Sequence, residues 1–422
     1  MLLAYTLIVI QFLLVSSSEV AVFERQNLPA PLKTEAEIIL DSEQRISAQF
    51  KVPTALIPRV AFWFDIYSKY SSQHQIIHHI DYPWWIVEVI DTADILAGPA
   101  NAQWLNVEKA NKVAHAKLFE ARLSFQRLAK KVRQGETLNT TEQLILKKIE
   151  LLPGGLQANL SRVASRLRLQ TGQKDFYLEG LRKSARYLSY MEKIFVARGL
   201  PKELTRLPLV ESSFNEDAGS KVGALGIWQL MPAISRKFIS VSDDIDERKS
   251  PYKATTVAAR MFQENYKLLS GCWPLVVTAY NHGPGSLRKA VKDVGTDDLG
   301  VIISQYKGGS FGFASENFYS EFLAALIVEQ YSKEVLGDLV KLDFSSHLNS
   351  VEPLKLPRKA KVRQLVSLSQ LSAQEFLSYN PDLKKALRLN LFLPKGFTLF
   401  LPAPQLPLVS QGLDKQLRVA QK

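Results

Sequence analysis

Apolar residues recur at helical spacing through much of the chain. Ala114, Leu118, Ala121, Phe125, Leu128 and Val132 alternate steps of four and three, which stacks them on one helix face. Gly135 predicts the end of that helix. Leu144, Leu146, Ile149 and Leu152 predict a second helix, stopped at Pro153-Gly154-Gly155. Leu181, Ala185, Leu188 and Phe195 predict a third, closed by Gly199 with Pro201 beyond. Further on, Val257, Met261 and Leu268, with Ala258 and Phe262, form another buried face. A helix from Trp273-Pro274 carries Val277 to Asn281 and stops at Gly283-Pro284-Gly285; Phe318, Phe322, Ala325 and Ile327 open a last one. The chain is therefore expected to be mainly α.

Two stretches break the helical period. Gln75-Ile76-Ile77-His78 and Trp85-Ile86-Val87-Glu88-Val89-Ile90 have strand composition, with Asp81-Tyr82-Pro83 as a turn between them. They predict a small β-containing N-terminal unit, preceded from Glu19 to about Gln44 by a polar arm. Beyond Ser345 the composition changes. Pro353, Pro357, Arg358, Lys359, Lys361 and Arg363 read as a basic, Pro-punctuated linker. Leu371 to Phe376, Tyr379-Asn380-Pro381 and Leu393-Pro394-Lys395-Gly396-Phe397 then suggest a helix, a turn and a strand.

Composition narrows the class. Of 422 residues, 46% are hydrophobic and 22% charged, ordinary values for a globular protein with room for two or three cores. A net charge of +12 favours a polyanionic partner, either nucleic acid or a carboxylate-bearing cell-wall polymer. No nucleic-acid-binding motif accompanies the charge, and part of it only solvates helix faces. The apolar run Leu2–Val15, followed by Ser16, Ser17 and Ser18, is short for a membrane span and resembles a signal-peptide core with a cleavage zone. The expected location is outside the cytoplasm, periplasmic or associated with the cell envelope. Cys272 is the single cysteine, so no intramolecular disulfide is available. His74, His78 and His79 lack the Cys or carboxylate spacing of a metal site; no metal or cofactor is expected.

The candidate chemistry lies in Leu207–Phe238. Glu211 closes the apolar run Leu207-Pro208-Leu209-Val210, so it is expected near the end of a short helix with apolar neighbours. Desolvation raises the pKa of such a carboxyl, and one that stays protonated near neutral pH can serve as a general acid. Gly219, Gly223 and Gly226 then punctuate a loop that runs into Ile227-Trp228-Gln229-Leu230-Met231.

Glu211-Ser212-x-Phe214, followed by Gly223-Ala224-x-Gly226-Ile227-Trp228-Gln229-x-x-Pro232, resembles the catalytic core of lytic murein transglycosylases, most closely the membrane-bound transglycosylase D type. Ala279-Tyr280-Asn281-His282-Gly283 fits a second block, and Glu316-Asn317-Phe318-Tyr319 loosely fits a third that lacks its Thr-Arg pair. The resemblance covers about 190–345. It implies a lysozyme-like helical catalytic domain acting on peptidoglycan strands, with Glu211 as acid and then base. It further implies Tyr280 and Tyr319 at the reacting subsite, Gln229 and Asn281 on the sugar and its N-acetyl group, Ser212 fixing local geometry and Trp228 walling the cleft. The C-terminal part resembles the second half of a LysM repeat without its first strand. The resulting division is 1–18 signal peptide, 19–100 β-containing unit, 101–189 helical domain, 190–345 catalytic domain, 346–405 degenerate LysM-like segment and 406–422 tail. Two other readings remain open: a hydrolase resembling goose-type lysozyme, with Asp243, Asp244 or Asp246 positioning water, and a non-catalytic glycan-binding scaffold.

Overall fold

The computed structural model describes residues 33–98, 103–337 and 351–420, except the side chains of 415–420. The apolar run at Leu2–Val15 lies outside the described residues. The protein is mainly helical with small sheets. No helix among the described residues is long and apolar enough to cross a membrane. The chain divides into two compact units. The first runs to Gly172 and takes back Gln330–Gly337; the second contains Gln173–Glu329 and the C-terminal residues.

The first unit is built on a three-stranded antiparallel sheet. Strand β1 (His74–His79) lies between β2 (Ile86–Asp91) and β3 (Leu167–Thr171). Ile76 pairs with Val89 on one side and Gln170 on the other. The predicted stripe is the core face of the Gln103–Gln134 helix. Ala114, Leu118 and Phe125 pack with Ile77, Trp85 and Leu167, and Ala121 and Val132 border the same cluster. His78 and His79 are packed histidines. Burial lowers their imidazoles to about 3 and about 4. Arg45 donates to the Gln330 carbonyl at 2.7 Å and lies over the Tyr331 ring at 4.1 Å, which holds the returning segment to the N-terminal residues.

In the second unit, the helix expected over Leu181–Phe195 is two helices, Lys174–Ser184 and Leu188–Val196. The Ser184 hydroxyl donates to the Leu181 carbonyl at 2.7 Å, a local bond that competes with helix continuation. The helices Pro251–Leu268, Trp273–His282, Pro284–Val294 and Phe313–Gln330 follow. Ser250 caps the first of them through the Lys253 amide, with Pro251 at its start.

The stretch read as a linker is folded. Strand β4 (Val351–Lys355) pairs antiparallel with β7 (Thr398–Pro402), Pro353 lying opposite Phe400. Among the described residues β4 has β7 as its only sheet partner, and such an edge position accommodates a residue with no N–H. The short strands β5 (Ala360–Lys361) and β6 (Phe392–Leu393) pair alongside. The helices Val362–Ser369 and Ala373–Tyr379 and the single turns up to Leu389 lie between the outer strands, around Leu356, Leu365, Phe376, Leu383, Leu399 and Leu401. Phe400 stacks on Tyr252 at 4.7 Å and meets Tyr190 edge-on at 5.4 Å.

Candidate active site

The helix Leu207–Glu211 is short because both of its ends are fixed. Pro208 stands in its first turn. After Glu211 the backbone turns left-handed at two consecutive residues, Ser213 (φ 49°) and Phe214 (φ 54°), which no continuing helix allows. The Phe214 amide closes this turn onto the Pro208 carbonyl at 3.2 Å, and its ring is fully buried, parallel to Tyr187 at 6.4 Å. Gly180 lies tight against the turn, where a β-carbon would meet the Ser213 α-carbon at 3.0 Å. At the other end, the partly buried Arg206 guanidinium donates to both Glu329 oxygens at 3.0 Å and also pairs with Glu192. That anchors the short helix to Phe313–Gln330.

The glycine loop folds back under Glu211. Ser212 donates to the Ile227 carbonyl at 2.9 Å, which fixes the residue next to the acid. Gly226 (φ 77°) passes so close to the Arg248 carbonyl that a β-carbon would sit 2.1 Å from that oxygen. Arg248, held by Asp246 at 2.7 Å, donates to the Gly223 and Leu230 carbonyls at 2.7 and 3.0 Å and so ties the loop down. Gln229 is left-handed (φ 46°), and its amide nitrogen donates to the Ala218 and Gly226 carbonyls, each at 3.0 Å.

Trp228 departs from its expected place. Its ring is fully buried, stacked on Phe195 at 5.7 Å, with its N–H on the Thr255 hydroxyl at 2.9 Å. A buried indole whose donor is satisfied is core, so the ring does not wall a cleft. Its carbonyl has the local role, accepting from the Tyr280 hydroxyl at 2.8 Å.

Glu211 keeps partial access to solvent. Its enclosure by protein, with the charge of Glu321 nearby, pushes its carboxyl up to about 8. Burial, and after it the charge of Glu211, holds the Tyr280 phenol well above its ordinary value. Glu211, Ser212, the Trp228 carbonyl and Tyr280 thus form one connected group. Asn281 is exposed at the end of its helix; its side-chain oxygen accepts from Ser315 at 3.1 Å, and Ser315 also lies 3.0 Å from His282 Nδ1. Tyr319 is buried, near Phe322, and its phenol is raised by burial and by the neighbouring Cys272 thiol. Neither of its named neighbours belongs to the Glu211 group. Glu321, Arg206 and Ser315 were not singled out in the sequence. Glu321 lies two residues beyond Tyr319 on one helix, and no local pattern marks it as facing Glu211.

Comparison with known proteins finds likenesses over this part of the chain. Residues 194–300 match the family described as "Transglycosylase SLT domain", a span that contains Glu211, the glycine loop and Tyr280-Asn281. The chain is similar to membrane-bound lytic murein transglycosylase D of Escherichia coli K12, with 28% identity over 229 residues, 52% of this chain and 45% of that protein. The same protein of E. coli O6:H1 matches equally at 28%. The chain spans about half the length of these curated relatives. Among solved structures, an inactive mutant of lytic transglycosylase Slt from Pseudomonas aeruginosa is 24% identical, covering 35% of this chain and 24% of that one, with a TM-score of 0.29.

Proposed function

We propose that the protein is a peptidoglycan lytic transglycosylase of the cell envelope, with a lysozyme-like catalytic region and Glu211 as its single acid–base residue. The observation that carries this reading is the Glu211 carboxyl, pushed up to about 8 by burial and by Glu321, at the end of a helix inside the matched span. Held protonated at neutral pH, Glu211 gives its proton to the glycosidic oxygen as the bond from muramoyl C1 to the N-acetylglucosamine oxygen breaks. The carboxylate so formed takes the proton of the muramoyl C6 hydroxyl, whose oxygen bonds to C1. Glu211 ends protonated again, no water is consumed, and the product is a 1,6-anhydro sugar. Tyr280, oriented by its bond to the Trp228 carbonyl, lines the reacting subsite. Gln229, whose donors are committed to the loop, offers its amide oxygen to the sugar; Asn281 completes the binding set, whereas Tyr319, 1% exposed, is a packing residue. The C-terminal β-helix-helix-β segment resembles a LysM repeat and adds glycan contacts.

Hydrolysis of the goose-lysozyme kind is the second reading, and Glu321 as a second carboxylate is the observation that favours it. Of the aspartates considered for positioning water, Asp246 is committed to Arg248 and Asp244 to Lys385 at 2.9 Å. Digestion of purified peptidoglycan followed by mass spectrometry separates the readings. Release of 1,6-anhydromuramoyl fragments supports transglycosylation, and reducing-end muramic acid would replace it with hydrolysis. Glu211→Gln keeps the size of the side chain but can neither give nor take the proton. General acid–base assistance contributes about 10²–10⁴-fold, so turnover should fall by at least that range. A variant with near-normal turnover would remove Glu211 from the mechanism.

A further inference from the structure

Just past Tyr280 a second polar row runs Asn281, Ser315, His282. Asn281 and His282 are the last two residues of the helix Trp273–His282, which ends at Gly283 (φ 90°). Ser315 lies in the first turn of Phe313–Gln330 and is 5% exposed. Its hydroxyl oxygen is 3.1 Å from Asn281 Oδ1 and 3.0 Å from His282 Nδ1. The His282 ring is kept in place by Phe311, edge-on at 5.1 Å, and Phe311 in turn meets Tyr306 at 5.7 Å. Among the described residues, neither Asn281 Nδ2 nor His282 Nε2 has a hydrogen-bond partner.

Counting hydrogens fixes the direction of this row. A serine hydroxyl has one hydrogen to give. It goes to the Asn281 oxygen, so the ring nitrogen on the other side of Ser315 has to be a donor. Burial holds the His282 imidazole below its ordinary value, and a neutral ring carries a single N–H. That hydrogen therefore sits on Nδ1, because the tautomer follows the bond that the ring makes. With the opposite tautomer, two acceptors would compete for one hydrogen, or the Asn281 amide would turn over and present its oxygen. In the arrangement present, the Asn281 oxygen is engaged. The NH2 of this exposed residue is left outward, a donor suited to a carbonyl oxygen and not to an ammonium group. We propose that Ser315 and His282 are positioning residues that hold the Asn281 amide with its NH2 towards the substrate, so that it selects the carbonyl of an N-acetyl group. The inference rests on the reading of the protein as a peptidoglycan-cleaving enzyme with Asn281 on the sugar.

Two measurements on the full chain test this. The first is magnetic resonance of the protein labelled at its histidine nitrogens, at neutral pH. The His282 signals, identified by their loss in His282→Asn, should show a hydrogen on Nδ1; a bare Nδ1 overturns the proposal. The second is the ratio of kcat/KM on N-acetylated over de-N-acetylated soluble glycan strands. Ser315→Ala should lower that ratio about three- to tenfold, the worth of one hydrogen bond. The loss should lie in KM with kcat nearly unchanged, as removal of uniform binding requires. His282→Phe should do the same. His282→Asn, whose amide nitrogen comes close to the place of Nδ1, should keep the wild-type ratio. An unchanged ratio in Ser315→Ala, or equal ratios in His282→Phe and His282→Asn, overturns the proposal. His282 is only partly buried, so its two variants decide even where Ser315→Ala fails to fold. If the wild type cuts neither strand, the enzymatic reading fails, and the resonance measurement still decides the direction of the row.

Discussion

Glu211 is the residue on which chemistry and stability pull in opposite directions. In the folded chain its carboxyl is raised from 4.5 to about 8, whereas the unfolded chain ionises it normally. Below about pH 4.5 both states hold the proton and the shift costs nothing. As pH rises from there towards 8 the unfolded state alone gains the charge, so folding is progressively penalised, by up to about 3 kcal/mol at pH 7 at 1.36 kcal/mol per pH unit. Glu211→Gln should therefore melt higher than wild type at pH 7 and converge with it near pH 4. Calorimetry at the two pH values checks this, and equal melting temperatures at both would mean that the carboxyl is not desolvated as described. The same shift fixes one limb of the rate profile. The working form is the protonated acid, so kcat/KM on soluble glycan strands should hold through neutral pH and fall tenfold per unit well above pH 8. A fall that set in near pH 5 would point to a carboxyl of ordinary acidity.

Among the elements, the glycine loop has no freedom of sequence at its centre. Gly226 combines φ 77° with a backbone oxygen 2.1 Å from where a β-carbon would stand. Gly226→Ala should thus cost about 3 kcal/mol or more, from strain and from displacement of Arg248, together with most of the activity. Denaturant titration beside a turnover assay measures both, and a loss under 1 kcal/mol would show that the loop can shift at little cost. Much of this was legible in the sequence because it depends on local rules. The stripe from Ala114 to Val132 is a period, Gly135 is a stop, and Glu211 at the close of the apolar run Leu207–Val210 is a helix end. What escaped depends on contacts between distant residues. Strand β3 is five residues long and is defined by its pairing with β1, some ninety positions earlier. Trp228 looked like an aromatic wall because sequence gives residue type and not facing; the partners that bury it, Phe195 and Thr255, lie 33 and 27 positions away. Arg206 reads as one of many surface cations until Glu192 and Glu329 are seen around it.

For the molecule as a whole, the C-terminal segment changes character between sequence and structure. A basic linker before a docking repeat implies a tethered module, which would raise local substrate concentration and leave the chemistry alone. Instead the segment shares a buried seam with the helix Pro251–Leu268. The Lys253 ammonium, 7% exposed, reaches Asp382 at 2.7 Å and Glu247 at 2.8 Å, and the Asp382 side chain is fully buried. Phe400 packs on Tyr252, itself fully buried. Removing one member of such a pair strands a buried charge and costs about 3–5 kcal/mol, whereas replacing both with apolar residues is often neutral. Lys253→Met should therefore destabilise the second unit by that amount, and Lys253→Met with Asp382→Leu should recover most of it. Truncation before Val351 uncovers Tyr252 and leaves Lys253 without Asp382. It should lower the melting temperature of the catalytic region and reduce cleavage of soluble glycans and of intact sacculi alike. The decisive comparison is the ratio of the two activities. A truncated chain that cut soluble glycans at the wild-type rate and failed only on sacculi would mean that the seam contributes little and that the segment behaves as a tether. An equal loss on both, with the Lys253 pair behaving as described, makes the segment a structural part of the unit that holds Glu211.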